Sequence, residues 1–301
     1  MSDLKYEEVV TSHPRGPTTQ EAGATYTKAP NLKVTGGNGV EYAYRSVGPD
    51  TRPVILLQHF RGNLDNWDPA LVDQLASTRR VVAFDNVGVG GSSGRTRNSV
   101  HQMATDALIF LEALNMQKVD LMGFSIGSFV AQEMALQRPE TVARTVLASS
   151  APQGAPGMHG WAPAVIDAVG KPQPDGDGYL KVFYTQSARS RRAGVHSIER
   201  MADRTEDRDE NTNWQTRVAQ YDAVCAWGVP NHSLLSRAGG IKAPTFVATG
   251  DSDPMILPKY SYLLAGLIPD SKLKIYRDAA HGFLFQYHEE FGHDALAFLS
   301  D

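Results

Sequence analysis

A single cysteine, Cys225, stands in a chain of 301 residues. No intrachain disulfide can form, so the fold has to stand on packing alone. Long apolar runs are missing as well: stretches such as Val54-Ile55-Leu56-Leu57 are far too short to span a bilayer. Neither sign of charge dominates. With 29 Lys and Arg against 33 Asp and Glu, the formal net charge is -4, which gives no electrostatic case for nucleic acid or an anionic membrane as partner. The histidines and acids show no His-Glu-x-x-His or similar ligand spacing, so neither a metal nor another cofactor is expected. The N-terminal stretch carries Asp3, Lys5, Glu7 and Glu8 and lacks the apolar segment of a signal peptide. A cytoplasmic home is therefore expected, although a low cysteine count leaves an extracellular one open. What the chain does have is a hydrophobic fraction of 42% beside a charged fraction of 21%, the balance of a globular protein. Its length allows one large α/β domain or two ordinary ones.

Residues 1–30 are polar and rich in Pro, Gly and Thr, and read as an N-terminal arm. Alternating apolar residues over 32–47, broken by Thr35-Gly36-Gly37-Asn38-Gly39, predict a β-hairpin with Leu32, Val34, Val40, Tyr42 and Tyr44 facing one way. Short strands apolar on both faces follow at 54–57, 80–84, 119–124 and 142–149, with helices between them at about 70–76, 100–114 and 126–136. The glycine-rich loop 86–94 matches neither a dinucleotide fingerprint nor a P-loop, and reads as a tight turn. From 151 to about 240 the rhythm breaks. Helical stretches are expected near 178–189, 195–203 and 212–226. Arg189, Arg191, Arg192 and the charge run 199–210 read as solvated faces. Of the aromatic residues Trp161, Phe183, Tyr184, Trp214, Tyr221 and Trp227, most should pack and a few should line a cleft. Strands resume at 244–250 and 273–276, with helices at 260–267 and 291–299. Alternating strands and helices predict a mostly parallel, eight-stranded sheet with helices on both faces, an α/β fold.

The turn Gly123-Phe124-Ser125-Ile126-Gly127 joins a predicted strand to a predicted helix. Glycine is needed on either side of Ser125, because a side chain there would strike the neighbouring strand or helix. Such a turn presents a serine hydroxyl as a nucleophile, and the amide of Ile126 at the helix start can face a developing oxyanion. The plainer alternative is an ordinary N-cap serine between two turn glycines. A serine hydroxyl needs a base, and the base needs a partner. Asp251 or Asp253 after one strand, and His281 after the next, fall at strand ends where ligands gather. Of the other histidines, His288 and His293 sit in the last helix region, and His59 opens the loop after the strand 54–57.

The order Ser, Asp, His, with the Gly123–Gly127 turn, Gly250-Asp251-Ser252-Asp253 and His281-Gly282, resembles the α/β-hydrolase superfamily, near its small esterases, lactonases and cofactor-free haloperoxidases. The resemblance covers about 32–150 and 241–301. It implies a core of 31–150 and 241–301 and a helical cap, or lid, over 151–240. It also implies Asp253 as the triad acid, Asp251 serving the turn, and Phe60 as the second oxyanion-hole donor. Where the family has His-Gly, this chain has Gln58-His59, so His59 brings bulk and an extra hydrogen-bonding group into the site, to orient the loop or to touch substrate. Trp161 is a second candidate substrate contact. The implied activity is cleavage of a small, largely apolar ester or lactone, with a small-molecule substrate as the expected partner. Perhydrolysis or carbon–carbon bond hydrolysis on the same triad, and a non-enzymatic ligand receptor, are the alternatives. Self-association into a homo-oligomer stays open.

Overall fold

The computed structural model describes residues 25–173 and 175–300. Eight strands form one sheet in the order β1-β2-β4-β3-β5-β6-β7-β8. β1 (Leu32–Thr35) and β2 (Glu41–Val47) form an antiparallel hairpin, and β2 is also antiparallel to β4 (Val81–Phe84). From β4 onward, β3 (Val54–Leu57), β5 (Val119–Phe124), β6 (Val142–Ala148), β7 (Thr245–Gly250) and β8 (Ser271–Tyr276) pair in parallel. Every residue of β3, β4, β5 and β7 is buried, as the continuous apolar runs require of strands covered on both faces. The covering helices are α1 (Pro69–Ala76), α2 (Val100–Ala113), α3 (Ile126–Gln137), α9 (Pro258–Leu267), α10 (Phe283–Gln286) and α11 (His288–Ser300). α2 packs with α3, and α1 with α11. Because the six central strands run the same way, the segments after β3, β5, β7 and β8 all leave from one edge.

Between β6 and β7 the chain is helical: α4 (Pro163–Val169), α5 (Gly176–Phe183), α6 (Ala188–Ala202), α7 (Trp214–Trp227) and α8 (His232–Leu235). Two details differ from the sequence reading. α4 falls in the Pro- and Gly-dense stretch, where Pro163 takes the first helical position, the one place a helix tolerates it without loss. The stretch 178–189 is two helices. The hydroxyls of Thr185 and Ser187 donate to Asp278, at 2.5 and 2.6 Å, and Ser187 caps α6, so the chain turns where propensity alone would continue. Among the described residues, no helix is long and apolar enough to cross a membrane.

β2 corrects the expected alternation. From Tyr42 to Val47 both faces are buried, and Arg45 is 1% exposed. Its guanidinium meets Asp65 Oδ1 at 2.7 Å and Asn31 Oδ1 at 2.6 Å, with the Tyr26 ring 5.2 Å away. Of the arm expected over 1–30, residues 1–24 lie outside the described residues; Tyr26 is buried and donates to Leu64 O at 2.8 Å. The run 199–210 is not wholly solvated either. Arg200 forks onto the buried Asp68 at 2.8 and 2.5 Å, and Arg204 donates to Thr27 O and Ala29 O.

Breaking a buried ion pair strands a charge, so Asp65→Ala should lower unfolding free energy by about 3–5 kcal/mol in a urea melt. Glu41→Ala, which breaks the half-exposed pair with Lys33, should change it by less than about 1 kcal/mol.

Candidate active site

The turn after β5 holds Ser125 at φ 57 and ψ -124, a conformation that costs a non-glycine residue about 1–3 kcal/mol. Ser125 stands at the N-cap of α3 but makes no side-chain cap bond there, so the plain capping alternative fails. Both flanking glycines are forced by contact. A Cβ on Gly127 would lie 2.0 Å from Leu57 O, and one on Gly123 would lie 2.3 Å from Gly127 O. The turn is therefore pressed against the end of β3, which sets the Ile126 amide beside the segment that begins at Gln58. On its other side the Ser125 amide donates to Ala148 O at 2.9 Å. Ser128 Oγ closes the turn by donating to Ser125 O.

His281 follows β8. Its Nδ1 lies 2.8 Å from Asp253 Oδ2, and both side chains are about fully buried, at 1% and 0% exposed. Asp253 Oδ1 accepts from the amides of Met255 and Ile256 at 2.8 and 3.0 Å, so the carboxylate is fixed at both oxygens. Asp251 faces elsewhere, accepting from the amides of Asp278 and Ala279 across the next turn. Gly250 makes the crossing feasible, since a Cβ there would meet Ala279 O at 2.2 Å. Ser149, the residue after Ala148, donates its hydroxyl to His281 O at 3.3 Å, which ties the His281 loop to the strand end that holds Ser125. The Phe124 ring, beside Ser125 in sequence, lies 5.0 Å from the imidazole. His281 Nε2 is buried and has no hydrogen-bond partner among the described residues. Hydrogen bonds in active sites commonly tighten only when substrate is bound.

A cavity of about 120 Å³ lies between these loops and the helical segment. His59, Phe60 and Met255 contribute from the sheet side beside His281, and Tyr179 and Phe183 of α5 from the other. Ser125 is 2% exposed. Phe183 explains part of this: its ring sits 5.2 Å from His281 and 6.0 Å from Phe124. Of the six aromatic candidates, Phe183 is the one that lines the cavity. Trp161 does not; it packs edge-on against Phe60 at 4.9 Å, which corrects its expected place as a substrate contact. Nothing in the sequence marked Arg61. It has φ 64, and its guanidinium donates to Lys171 O, Pro172 O and Thr212 O, while its amide donates to Gln220 Oε1 at 2.6 Å. That staples the Phe60 loop to the helical segment. The charge run and the loop around Pro172 carried no pattern pointing back to residue 61.

His59 Nδ1 lies 2.9 Å from Phe60 O. Burial pushes this imidazole down to about 3. Among the described residues no group of three or more His, Cys, Asp or Glu side chains could hold a metal ion.

Residues 52–286 match the sequence profile of the alpha/beta hydrolase fold. The chain belongs to the α/β-hydrolase family. An α/β-hydrolase-fold protein from Chitinophaga pinensis superposes on this hydrolase with a TM-score of 0.87 at 37% identity, over 92% of this chain and all of that one. A Rhizobium rhizogenes protein named as a carbamate hydrolase, RutD, is 25% identical over 262 residues, 83% of this chain and 94% of its own. A Mycobacterium tuberculosis protein named as a non-heme bromoperoxidase, BpoC, is 31% identical over 96 residues, 32% of this chain and 37% of its own.

The lowered His59 has a sign. The unfolded chain binds its proton near pH 6.5 while the folded one does not until about 3. Stability is therefore whole above pH 6.5 and falls as the pH drops toward 3. Denaturant melts should show a loss of about 2 kcal/mol between pH 6.5 and 5 that is absent from His59→Asn. Equal pH slopes in the two proteins would contradict the burial argument.

Proposed function

We propose that this hydrolase cleaves a small, largely apolar carboxylic ester or lactone through an acyl-enzyme. Ser125 Oγ attacks the carbonyl carbon while His281 Nε2 takes its proton; the amides of Phe60 and Ile126 hold the tetrahedral oxyanion. Collapse breaks the bond to the leaving oxygen, to which His281 returns the proton. Water then adds to the acyl group by the same route and releases the acid and Ser125. Asp253 orients the imidazole and stabilises its transient positive charge. In this reading residues 151–240 act as the cap over a core of 31–150 and 241–301.

The observation that carries the proposal is the 2.8 Å contact between His281 Nδ1 and Asp253 Oδ2 in a buried setting, with the second ring nitrogen left unpartnered. A ring anchored in this way has one nitrogen to spare for proton transfer. The strained Ser125 turn, tied to the same strand end, supports it. Phe60 fits the donor role because its amide makes no hydrogen bond among the described residues and follows the strand end that Gly127 touches. The apolar wall from Phe60, Val169, Phe183 and Met255 favours an apolar acyl group. RutD's named carbamate is also an acyl compound, so that relative supports acyl chemistry without fixing the bond. The likeness to BpoC keeps one second reading: hydrogen peroxide in place of water at the acyl-enzyme, giving a peracid.

A panel of esters, lactones and amides is the test. Wild type should turn over a short-chain ester, Ser125→Ala should lose about 10³-fold or more, and a phosphonate should add its mass at Ser125 alone. Equal rates for wild type and Ser125→Ala would end the assignment. Asp253→Asn should lose about 10³- to 10⁴-fold, and Asp251→Asn far less. Peracid formed on adding peroxide would mark the second reading.

A further inference from the structure

His59 is buried among groups that fix its ring without using all of it. It is 7% exposed, and its ring meets Phe124 and Phe183 edge-on, each at 5.3 Å. These are the two phenyl rings that also hold His281. Its Nδ1 lies 2.9 Å from Phe60 O, and a carbonyl oxygen only accepts, so Nδ1 carries the hydrogen. Nε2 is then a bare acceptor. It is buried and has no partner among the described residues. Gln58 does not bond to it: its Oε1 accepts from the His59 amide at 2.8 Å and its Nε2 donates to Asn63 O at 3.0 Å. Tyr179 Oη, also in the cavity wall, makes no bond to it. Burial keeps the ring neutral at ordinary pH, so the lone pair persists.

An unpaired buried acceptor is costly, and His59 is one of the residues that line the cavity, so a ligand seated against the ring can pair it. It stands one residue from the proposed oxyanion donor Phe60. A negatively charged oxygen next to a lone pair would be repelled, so the group that faces it must bring a hydrogen. We propose that His59 is a specificity-determining residue whose Nε2 accepts a hydrogen bond from a hydroxyl or amide N–H on the carbon next to the scissile carbonyl. The substrate class is thereby narrowed from small apolar esters to 2-hydroxy or 2-amido acyl esters and lactones. This rests on the serine-hydrolase reading of the same site.

The test uses the full chain and phenyl esters of 2-hydroxybutyrate, 2-methoxybutyrate and butyrate, with phenyl N-acetylglycinate as the amide arm. Each kcat/KM is divided by the ester's own hydroxide rate to remove intrinsic reactivity. Wild type should favour the hydroxy or the amido ester over the methoxy ester by about 10- to 100-fold, and the arm that wins identifies the donor. His59→Phe, which keeps a ring and loses the acceptor, should bring that ratio close to one; His59→Gln should recover part of it. A wild-type ratio near one in both arms, or a ratio that His59→Phe leaves intact, overturns the proposal. Should His59→Phe not fold, the nitrogen-15 signal of His59 Nε2 decides: 2-hydroxybutyrate or N-acetylglycine must shift it and 2-methoxybutyrate must not. If no ester is turned over and no phosphonate labels Ser125, the serine-hydrolase reading has failed. The nitrogen-15 comparison then still reads His59 alone.

Discussion

Two backbones pressed together at Gly127 govern everything else in the site. No side chain fits there, because a Cβ would sit 2.0 Å from Leu57 O. The contact joins the end of β3 to the start of α3, and so brings the Ile126 amide beside the loop that contains His59 and Phe60. It also forces Ser125 into its unfavourable backbone angles. The strain is small beside what surrounds it. Leu121, Met122, Phe124 and Phe129 on the flanking strand and helix are all 0% exposed, and each such side chain contributes about 1.5–3 kcal/mol by burial. A cost of about 1–3 kcal/mol at one residue is therefore easily offset.

The helical segment is attached to the sheet by polar groups as well as by packing. Arg61 donates to three of its carbonyls, Asp68 takes Arg200 and Ser197, and Gly282 donates to Phe183 O at 2.8 Å. Asp85 and Asp209 meet across the same boundary, where burial and then the neighbouring acid hold the Asp85 carboxyl well above the ordinary range. Each of these contacts contributes modestly, since folding exchanges water's hydrogen bonds for the protein's own. What they supply is direction. Residues 281 and 282 receive backbone acceptors from Val182 and Phe183, so the His281 loop is positioned partly by α5 and only partly by β8. A site between sheet and helices is thus built from both.

Sequence pattern was most informative where one physical rule acts alone. Central strands buried on both faces gave uniform apolar runs, and 54–57 is a strand at those very limits. The glycines at 123 and 127 announced a close approach that the contacts bear out. The pattern failed where distant partners override local preference. Arg45 reads as a solvent-facing residue in an alternating strand until Asp65 is brought to it. The helix expected over 178–189 breaks because Asp278, some ninety residues on, captures two hydroxyls. Arg61 and Tyr179 carried no signal for the same reason: what makes them part of the cavity wall is the folding of the 151–240 segment onto the sheet. Trp161 misled because an aromatic side chain in a covering segment has more places to pack than the cavity offers.

The two imidazoles at the cavity show how one residue type is set to opposite tasks. Both lie against Phe124 and Phe183, both are buried, and both have an unpartnered Nε2. They differ in what holds Nδ1. For His281 it is a carboxylate, which can stabilise the positive charge that a proton on Nε2 would create. For His59 it is a carbonyl, a dipole with far less to offer a cation in a buried setting. The proposed reaction asks the first ring to take a proton and return it, which suits its carboxylate partner. The second stays neutral and can only receive a hydrogen bond. The difference between the two rings comes from the partner of one nitrogen.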